Sequence, residues 1–567
     1  KQQQILVNNH RIMKRTKIFF LLLTLCLGIA TTAKAQSSAV KKAANATFTL
    51  TTFDAKGSIL STTNGVFVST DGICISTWQP FAGAAKAVVI DNNGQKYDVE
   101  TMLGANEIYD LAKFKVSAKT TAAPFAPSID ANTTAWVVIP VKAGDPIKAS
   151  VSKVEKFMEK YNYCVLATSA PKKNNGAPLL NDKGQLVGIY NNSGTLQSAT
   201  DARYANDFAL VGLSQNDPTL LQCGIRIGLP QSADEAILAL MLSAAKNDEI
   251  RTATINDFLQ KFPTLNNGYI ALATNLFGKG DISEAEKVLL QAIAKVKAKD
   301  EAHYNYARLM YQGAVTPALT EKAKAQGWTL DKAMSQANEA YKLNPTPIYK
   351  HLQAQITYAK GDYQKAYQDF EALTKTQLKN PELYLEMAQC QENLNGNDEE
   401  ILSLLNKSIE LCDTPYTQTA APYFLARAQQ LDKMGKYREA IKDFYAYEYL
   451  YGSILEANFY YIREQCEVKG KLWQQALQDI LIAARLDPAE PIYCAEAGSL
   501  LLRLNKLEEA IVAAQQAVAL KADYAEAYLI LGIAQCRNNQ KQEGIANIEK
   551  AKSLGNPQAD TFLNQFK

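Results

Sequence analysis

The sequence predicts a multidomain protein in which an all-β domain precedes an all-α superhelical solenoid of helical hairpins. A chain of 567 residues is too long for one hydrophobic core, because domains usually contain about 100–200 residues. The hydrophobic pattern alternates in the first half, as in strands, and takes a helical period from about residue 232 onward. In that second half, similar units return about every 34 residues, which is typical of helical repeats.

The composition gives no indication of a nucleic-acid partner, a zinc site or a redox site. Apolar residues make up 47% of the chain and charged residues 21%, as in ordinary folded proteins. The 60 basic and 57 acidic residues give a net charge of +3, so there is no electrostatic reason to expect a nucleic-acid partner. The nine cysteines form no C-x-x-C pair, so we expect no zinc or redox site, no cofactor, and buried cysteines that act as small apolar residues.

The residues near the N-terminus predict an export signal. Met13 is the first methionine, so residues 1–12 are expected to lie upstream of the translated chain. A basic stretch leads into the apolar run 18–30, whose 13 residues fall short of the about 20 needed to span a bilayer. Small residues up to Ala35 form a cleavage pattern, so residues 13–35 indicate a signal peptide. The alternative is an uncleaved anchor. After cleavage, the mature chain would have no membrane span and would lie in the periplasm, at the outer membrane or outside the cell.

After a short linker over residues 36–42, residues 43–228 have the pattern of a β domain. Residues 47–51 and 65–69 alternate between apolar and polar side chains, and other short apolar runs follow. Turn dipeptides punctuate these segments, namely Asp71-Gly72, Asn93-Gly94 and Lys183-Gly184. Many short strands separated by such turns predict a sandwich or a barrel.

Residues 229–265 indicate a degenerate helical hairpin, and residues 266–567 indicate about eight further hairpins, the second with an insertion around residues 315–328. A small residue returns at one position of the second helix, followed by a larger one four residues later. This anchor position falls at Ala440, Ala476, Ala510 and Gly544, at intervals of 36, 34 and 34 residues. Because a single hairpin cannot bury its own apolar face, several must stack.

These units resemble the tetratricopeptide repeat, and Tyr528, Leu531 and Gly532 match its first-helix pattern. The resemblance implies a groove, lined by first helices, that holds a peptide or helix of a partner protein. The groove positions that it implies are Tyr306, His351, Gln355, Gln389, Gln429, Tyr461, Gln465 and Arg503. Because glutamine and tyrosine dominate this set, we expect a polar or neutral peptide rather than an acidic tail.

Three segments of the β domain resemble trypsin-like serine proteases of the bacterial HtrA type, namely residues 65–77, 106–112 and 174–180. The resemblance implies a double β-barrel and places the catalytic triad at Gln79, Asp110 and Asn175, so only the aspartate matches the family. We expect the Gln79 side-chain amide to donate a hydrogen bond to Asp110.

A serine-type triad needs a base with a pKa near neutral and a nucleophilic hydroxyl. The chain has three histidines, and none lies within residues 43–228. We therefore expect no catalysis and no metal. A Ser-Lys dyad built from Ser169 with Lys172 or Lys173 is the remaining route to a serine-type hydrolase with a noncanonical site.

The combined expectation is an exported scaffold or adaptor with a pseudoprotease domain, which binds protein or peptide partners of the cell envelope. This combination of domains resembles exported proteins of Bacteroidota. One alternative is the noncanonical hydrolase, and another is a purely structural role in which the β domain caps the first hairpin.

Overall fold

A computed structural model of the chain describes residues 38–566. The predicted signal peptide and the residues before it lie outside this range. The chain forms two compact units. One contains the described residues up to Leu276 together with Leu290–Lys297, and the other contains Phe277–Leu289 and the chain from Ala298 onward. The first unit therefore continues past the expected domain end at residue 228.

Twelve strands in the described residues form two closed six-stranded barrels, with strand orders β1-β2-β3-β6-β5-β4 and β10-β11-β12-β9-β8-β7. Every strand pair is antiparallel, so the predicted double β-barrel is confirmed. The strands are β1 Thr47–Phe53, β2 Ile59–Phe67, β3 Ile73–Ser76, β4 Lys86–Asp91, β5 Lys96–Asn106, β6 Leu111–Val116, β7 Thr134–Val137, β8 Ile147–Phe157, β9 Tyr161–Thr168, β10 Pro178–Asn181, β11 Leu186–Asn192 and β12 Gln197–Asp201.

Apolar side chains, which alternate with polar ones along the strands, fill the interior of the first barrel. Phe48 on β1 is fully buried, and its ring lies 4.6 Å from that of Phe67 on β2. Gly65 leaves room for this ring, because a Cβ there would lie 2.3 Å from it. Gly72 and Gly94 of the predicted turns have φ of 91° and 86°, the left-handed region that glycine enters without a steric penalty.

A linker was expected over residues 36–42, and its described part, from Ser38 onward, folds instead as helix α1, Ser38–Ala43. Val40 is fully buried in the core that also contains Trp136 and Leu186. A Cβ on Gly184 would lie 2.7 Å from the carbonyl oxygen of Ala39, so the helix packs closely on the turn before β11. The helix is therefore part of the β domain, because its Val40 side chain lies in that core and Ala43 packs against it.

Helices α2, Ala233–Leu242, and α3, Asp248–Lys261, lie where the degenerate hairpin was predicted. The helices after it are α4 Asn266–Gly278, α5 Ile282–Lys295, α6 Lys299–Val315, α7 Pro317–Ala325, α8 Leu330–Leu343, α9 Pro347–Ala359, α10 Tyr363–Leu373, α11 Pro381–Asn393, α12 Asp398–Glu410, α13 Ala421–Lys433, α14 Tyr437–Tyr451, α15 Ala457–Lys469, α16 Trp473–Leu486, α17 Pro491–Arg503, α18 Leu507–Leu520, α19 Ala525–Arg537, α20 Lys541–Ser553 and α21 Ala559–Phe566.

From α6 onward the helices pack as successive hairpins, α6 with α8, α9 with α10, α11 with α12, and so on to α19 with α20. The predicted insertion is α7, which lies between the two helices of its hairpin. Trp328, just after α7, is buried and lies edge-on to the ring of Tyr306 at 6.1 Å. Among the helices of residues 38–566, none combines the length and apolar character that crossing a bilayer requires.

Small residues allow the two helices of each hairpin to approach. The anchor residues Ala440, Ala476 and Ala510 are fully buried. At Gly544 the approach is closer still, since a Cβ there would lie 2.4 Å from the sulfur of Cys536. Glycine at this anchor position is therefore a packing requirement of the last hairpin. The eight cysteines of the described residues are free thiols, most of them buried.

Candidate functional site

Loops of the two barrels bring the three triad-related residues together. Gln79 begins a 3₁₀ turn after β3, and Asp110 ends the turn between β5 and β6. Asn175 follows a 3₁₀ turn over Lys172–Asn174 and precedes β10. Asp110 has a φ of 45°, a left-handed conformation that aspartate tolerates better than most residues. Hydrogen bonds made directly or through Asn191 join the three loops that carry these residues.

Asp110 is held by the backbone rather than by the side chain of Gln79. The backbone N–H of Gln79 donates to Asp110 Oδ1 at 2.8 Å, while the Gln79 side chain is exposed. The expectation of a side-chain amide contact is therefore wrong, because the turn already presents a donor from the main chain. Burial raises the pKa of Asp110, although the hydrogen bonds from the Gln79 and Trp78 backbones oppose this shift.

Asn191, at the end of β11, joins the aspartate to the nucleophile position. Its Nδ2 donates to Asp110 Oδ2 at 2.7 Å, and its Oδ1 accepts from Asn175 Nδ2 at 3.1 Å. The result is a continuous chain of hydrogen bonds from Asp110 through Asn191 to Asn175. Asn191 was not predicted from the sequence, where its only signal is the pair Asn191-Asn192 at the end of a strand.

The Asn175 side chain also extends the pairing between β10 and β11. It donates from Nδ2 to the Asn192 carbonyl at 3.3 Å and accepts from the Asn192 N–H on Oδ1 at 2.8 Å. The main-chain bond from the Gly176 N–H to the Tyr190 carbonyl, at 2.9 Å, precedes these bonds along β11. The side-chain amide thus takes the place of one more peptide group in the ladder, which a serine hydroxyl is too short to do.

The other groups that a hydrolase would use either make hydrogen bonds within the chain or make none with each other. The Asn175 N–H donates to the Lys172 carbonyl at 3.0 Å, whereas an oxyanion hole needs backbone N–H groups aimed at the substrate. Ser169, Lys172 and Lys173 are all exposed, and in the described residues no hydrogen bond joins Ser169 to either lysine. Within residues 38–566, no group of three or more His, Cys, Asp or Glu side chains could hold a metal ion.

Two of the expected groove residues lie inside the helical unit. Tyr306 is 5% exposed and donates to a carboxylate oxygen of Glu286. His351 is 7% exposed, and its Nε2 lies 2.6 Å from Glu386 Oε2. Burial lowers the pKa of His351, but the hydrogen bond and charge of Glu386 outweigh that effect and raise it. Assigning these two residues to an open groove is therefore wrong, because neighbouring side chains cover both.

The other expected groove residues remain at least partly accessible. Gln355, Gln389, Tyr461 and Gln465 are half-buried, and Gln429 and Arg503 are exposed. Two of the glutamines donate to carboxylates that the sequence analysis did not select. Gln355 Nε2 lies 2.7 Å from Glu386 Oε1, and Gln465 Nε2 lies 2.6 Å from Glu464 Oε2. The first helices thus carry buried acids beside the polar residues expected there.

Comparison with known proteins agrees with this architecture. Residues 63–189 match the family model of the trypsin-like peptidase domain, and residues 496–559 match a tetratricopeptide repeat model. The chain therefore contains a trypsin-like double β-barrel followed by a helical region with tetratricopeptide repeats, and such repeats suggest protein partners.

Among solved structures, the chain is similar to the HtrA-type protease AlgW with a tripeptide and to a serine endoprotease from Yersinia pestis. Each is 21% identical with a TM-score of 0.27, and each match covers 30% of this chain. The match spans 60% of the length of the first structure and 62% of the second. No curated protein matches the chain.

Proposed function

We propose that this chain is an exported adaptor, which binds other proteins through its repeats and carries a trypsin-like domain without protease activity. The main support for the proposal is the hydrogen bonding of Asn175, the residue at the position of the nucleophile. The Asn175 side chain makes hydrogen bonds with Asn191 and with both backbone groups of Asn192. A residue used in this way supports the strand pairing and has no hydroxyl with which to attack a carbonyl.

Proton chemistry supports the same conclusion. Serine-type acyl transfer needs a group that accepts the nucleophile's proton and returns it to the leaving group near pH 7. Gln79 takes the place of the histidine, and residues 43–228 contain no histidine elsewhere. Asp110 in the family's arrangement only orients the base. With no base to orient, its carboxylate serves to join two loops.

Binding is the activity that remains for both halves of the chain. Tetratricopeptide arrays present first helices to a peptide or helix of a partner. A trypsin-like domain that lacks a working triad keeps strand edges that can pair with an extended peptide. Export rests on the predicted signal peptide over residues 13–35. N-terminal sequencing of the protein purified from its host is expected to begin at Gln36, and a retained apolar run would contradict export by cleavage.

The test of the enzymatic alternative uses the purified full chain with a fluorophosphonate probe and with labelled casein. We expect no labelling and no turnover above a buffer control. Labelling mapped to residues 43–228 that disappears in Ser169→Ala, together with casein turnover lost in the same variant, would establish the noncanonical hydrolase instead. Affinity capture from envelope extract tests the binding role, and recovery of no specific partner would count against it.

A further inference from the structure

Three glutamates lie on the first helices of the last three hairpins. We call Glu464 on α15, Glu496 on α17 and Glu526 on α19 the carboxylate row. Helices α17 and α19 pack directly on each other. Exposure increases along the row, since Glu464 is fully buried, Glu496 is half-buried and Glu526 is exposed. The row therefore runs from the interior of the stack to its surface.

Neighbouring carboxylates of the row repel each other. Burial and then the charge of Glu496 raise the pKa of Glu464 to about 7. Burial and then the charge of Glu526 raise the pKa of Glu496. In the described residues, none of the three forms an ion pair with a lysine or arginine. Like charges held together without a cation make a site of strong negative potential.

Glu464 has an unsatisfied oxygen. Its Oε2 accepts from Gln465, but its Oε1 is buried without any hydrogen-bond partner. A buried carboxylate oxygen without a partner costs free energy, because water no longer solvates it. An incoming cation with N–H donors would supply both the charge and the hydrogen bond that this oxygen lacks.

The position of Glu464 in its repeat strengthens this point. Glu464 precedes its anchor Ala476 by the same interval that separates Gly498 from Ala510 and Gly532 from Gly544. The other two repeats thus place glycine where α15 places a carboxylate. A Cβ on Gly532 would lie 2.6 Å from the Gly544 carbonyl oxygen, so close packing explains the glycine there but gives no reason for the glutamate of α15.

Two tyrosines lie on the same first helices as the carboxylate row, Tyr461 on α15 and Tyr493 on α17. Tyr461 and Tyr493 have ring centroids 5.5 Å apart. Burial and then the charges of Glu526 and Glu496 raise the pKa of Tyr524 to about 12. Tyrosine faces attract cations and pack against the methylene stems of lysine and arginine. Carboxylates between tyrosines are therefore suited to long basic side chains.

We propose that the carboxylate row binds a basic segment of a partner protein, an extended peptide that inserts lysine or arginine side chains between the tyrosines toward Glu464. The proposal rests on the binding role of the repeats and names the chemistry of the partner. A basic segment differs from the polar or neutral peptide expected from the sequence. That expectation was based on the glutamines and tyrosines of the groove positions and not on the acids beside them. A metal ion fits less well, since no described acidic group has a metal-binding arrangement.

The test uses the full chain and three fluorescein-labelled peptides of equal length, in which every second residue is lysine, glutamine or glutamate. Anisotropy is expected to show binding of the lysine peptide only. Its affinity should fall as NaCl rises from about 0.1 M to about 1 M, because the Debye length shrinks from about 10 Å to about 3 Å. Absence of lysine-peptide binding, or equal binding of the glutamine peptide, would overturn the proposal.

Variants locate the binding. The double variant Glu496→Gln/Glu526→Gln should lower the affinity for the lysine peptide by about tenfold or more, since two charge pairs are lost. Glu508→Gln, an exposed acid on the second helix α18, is the matched control and should bind as the wild type does. Circular dichroism verifies folding, and the single exposed variant Glu526→Gln gives a second reading if the double variant unfolds. Equal affinity of the wild type and these variants would refute the carboxylate row as the site.

Affinity capture separates this inference from the general binding role. If the wild type recovers a specific partner and Glu496→Gln/Glu526→Gln recovers it equally well, the repeats bind proteins but the basic-segment inference fails. If the wild type recovers no partner and does not bind the lysine peptide, both proposals fail. Loss of the partner in the double variant, with retention in Glu508→Gln, supports the inference when that partner's binding segment is rich in lysine or arginine.

Discussion

Replacing Glu464 by glutamine is expected to stabilise the helical unit at alkaline pH and to leave it unchanged in acid. The ordinary pKa of this carboxyl is 4.5, and the fold raises it to about 7. The folded chain therefore holds a proton that the unfolded chain has lost between these two values. Stability from this group is complete below about pH 4.5 and is lost as the pH rises through about 7.

The magnitude follows from the size of the shift. Each pKa unit corresponds to about 1.4 kcal/mol, so a rise from 4.5 to about 7 makes the ionised Glu464 cost up to about 3 kcal/mol. The acids Glu496 on α17 and Asp479 on α16 add to this cost by repulsion. Glutamine has the shape of the protonated acid and still accepts the Gln465 hydrogen bond, so the variant avoids the cost at every pH.

The assay is hydrogen exchange with mass spectrometry on peptides from α15 and α16, since repeat arrays open locally. Wild type and Glu464→Gln are compared at the same pH, which cancels the intrinsic exchange rates. At about pH 8.5 the variant should be protected by up to about a hundredfold more, and at about pH 5 the two should agree. Glu508→Gln should match the wild type at both values.

Two results would refute this reasoning. Equal protection of wild type and variant at alkaline pH would mean that Glu464 is solvated and does not carry the cost of burial. Lower protection of the variant at both pH values would mean that the carboxylate makes a stabilising contact within the chain. Glu467, whose pKa burial and Asp479 raise to about 8, is present in both proteins, so the cost of its own burial is common to them, and only its repulsion by Glu464 is lost in the variant.

Three further outcomes follow from the structure. Asn191→Leu removes the donor to Asp110 Oδ2 and should destabilise the barrel unit by about 1–3 kcal/mol, seen as a lower melting temperature; an unchanged value would mean that the hydrogen-bond chain contributes nothing. Gln79→Leu should leave the melting temperature unchanged, because the backbone N–H makes its bond to Asp110. Gly544→Ala should destabilise the last hairpin by about 1–3 kcal/mol in hydrogen exchange, because the new Cβ meets Cys536, and normal protection there would contradict the close approach.

The sequence was sufficient for the architecture because its periodicities are set by main-chain geometry. Alternation in residues 47–51 predicts β1, and the spacing of the anchor residues predicts the stacked hairpins. The site was less predictable, since its contacts depend on which atom of a residue reaches a neighbour. Alignment put Gln79 beside Asp110, but only the fold shows that the main chain makes the bond.

The burial of individual residues in the repeats also could not be predicted from their positions in the repeat. The groove rule selects residues by their place in one helix, whereas exposure depends on the adjacent helices and on insertions. Trp328, which follows the insertion, packs on Tyr306, and Glu386 pairs with His351. The acids of the first helices were not predicted for the same reason. A charged residue in a helix is expected to be exposed to solvent unless its neighbours in the fold are known.

Asn175 and Glu464 both put a polar side chain where a related repeat or family pattern has a smaller residue, and their hydrogen bonds distinguish their roles. Both polar atoms of the Asn175 side chain are bonded to Asn191 or Asn192. Glu464 leaves Oε1 buried without a partner beside other acids. A buried polar group with all its bonds made within the chain holds the chain together, whereas one with an unmet bond lowers stability unless a ligand supplies it. By this criterion the Asn175 side chain is structural, and the unmet hydrogen bond of Glu464 is the reason for proposing a binding site in the repeats.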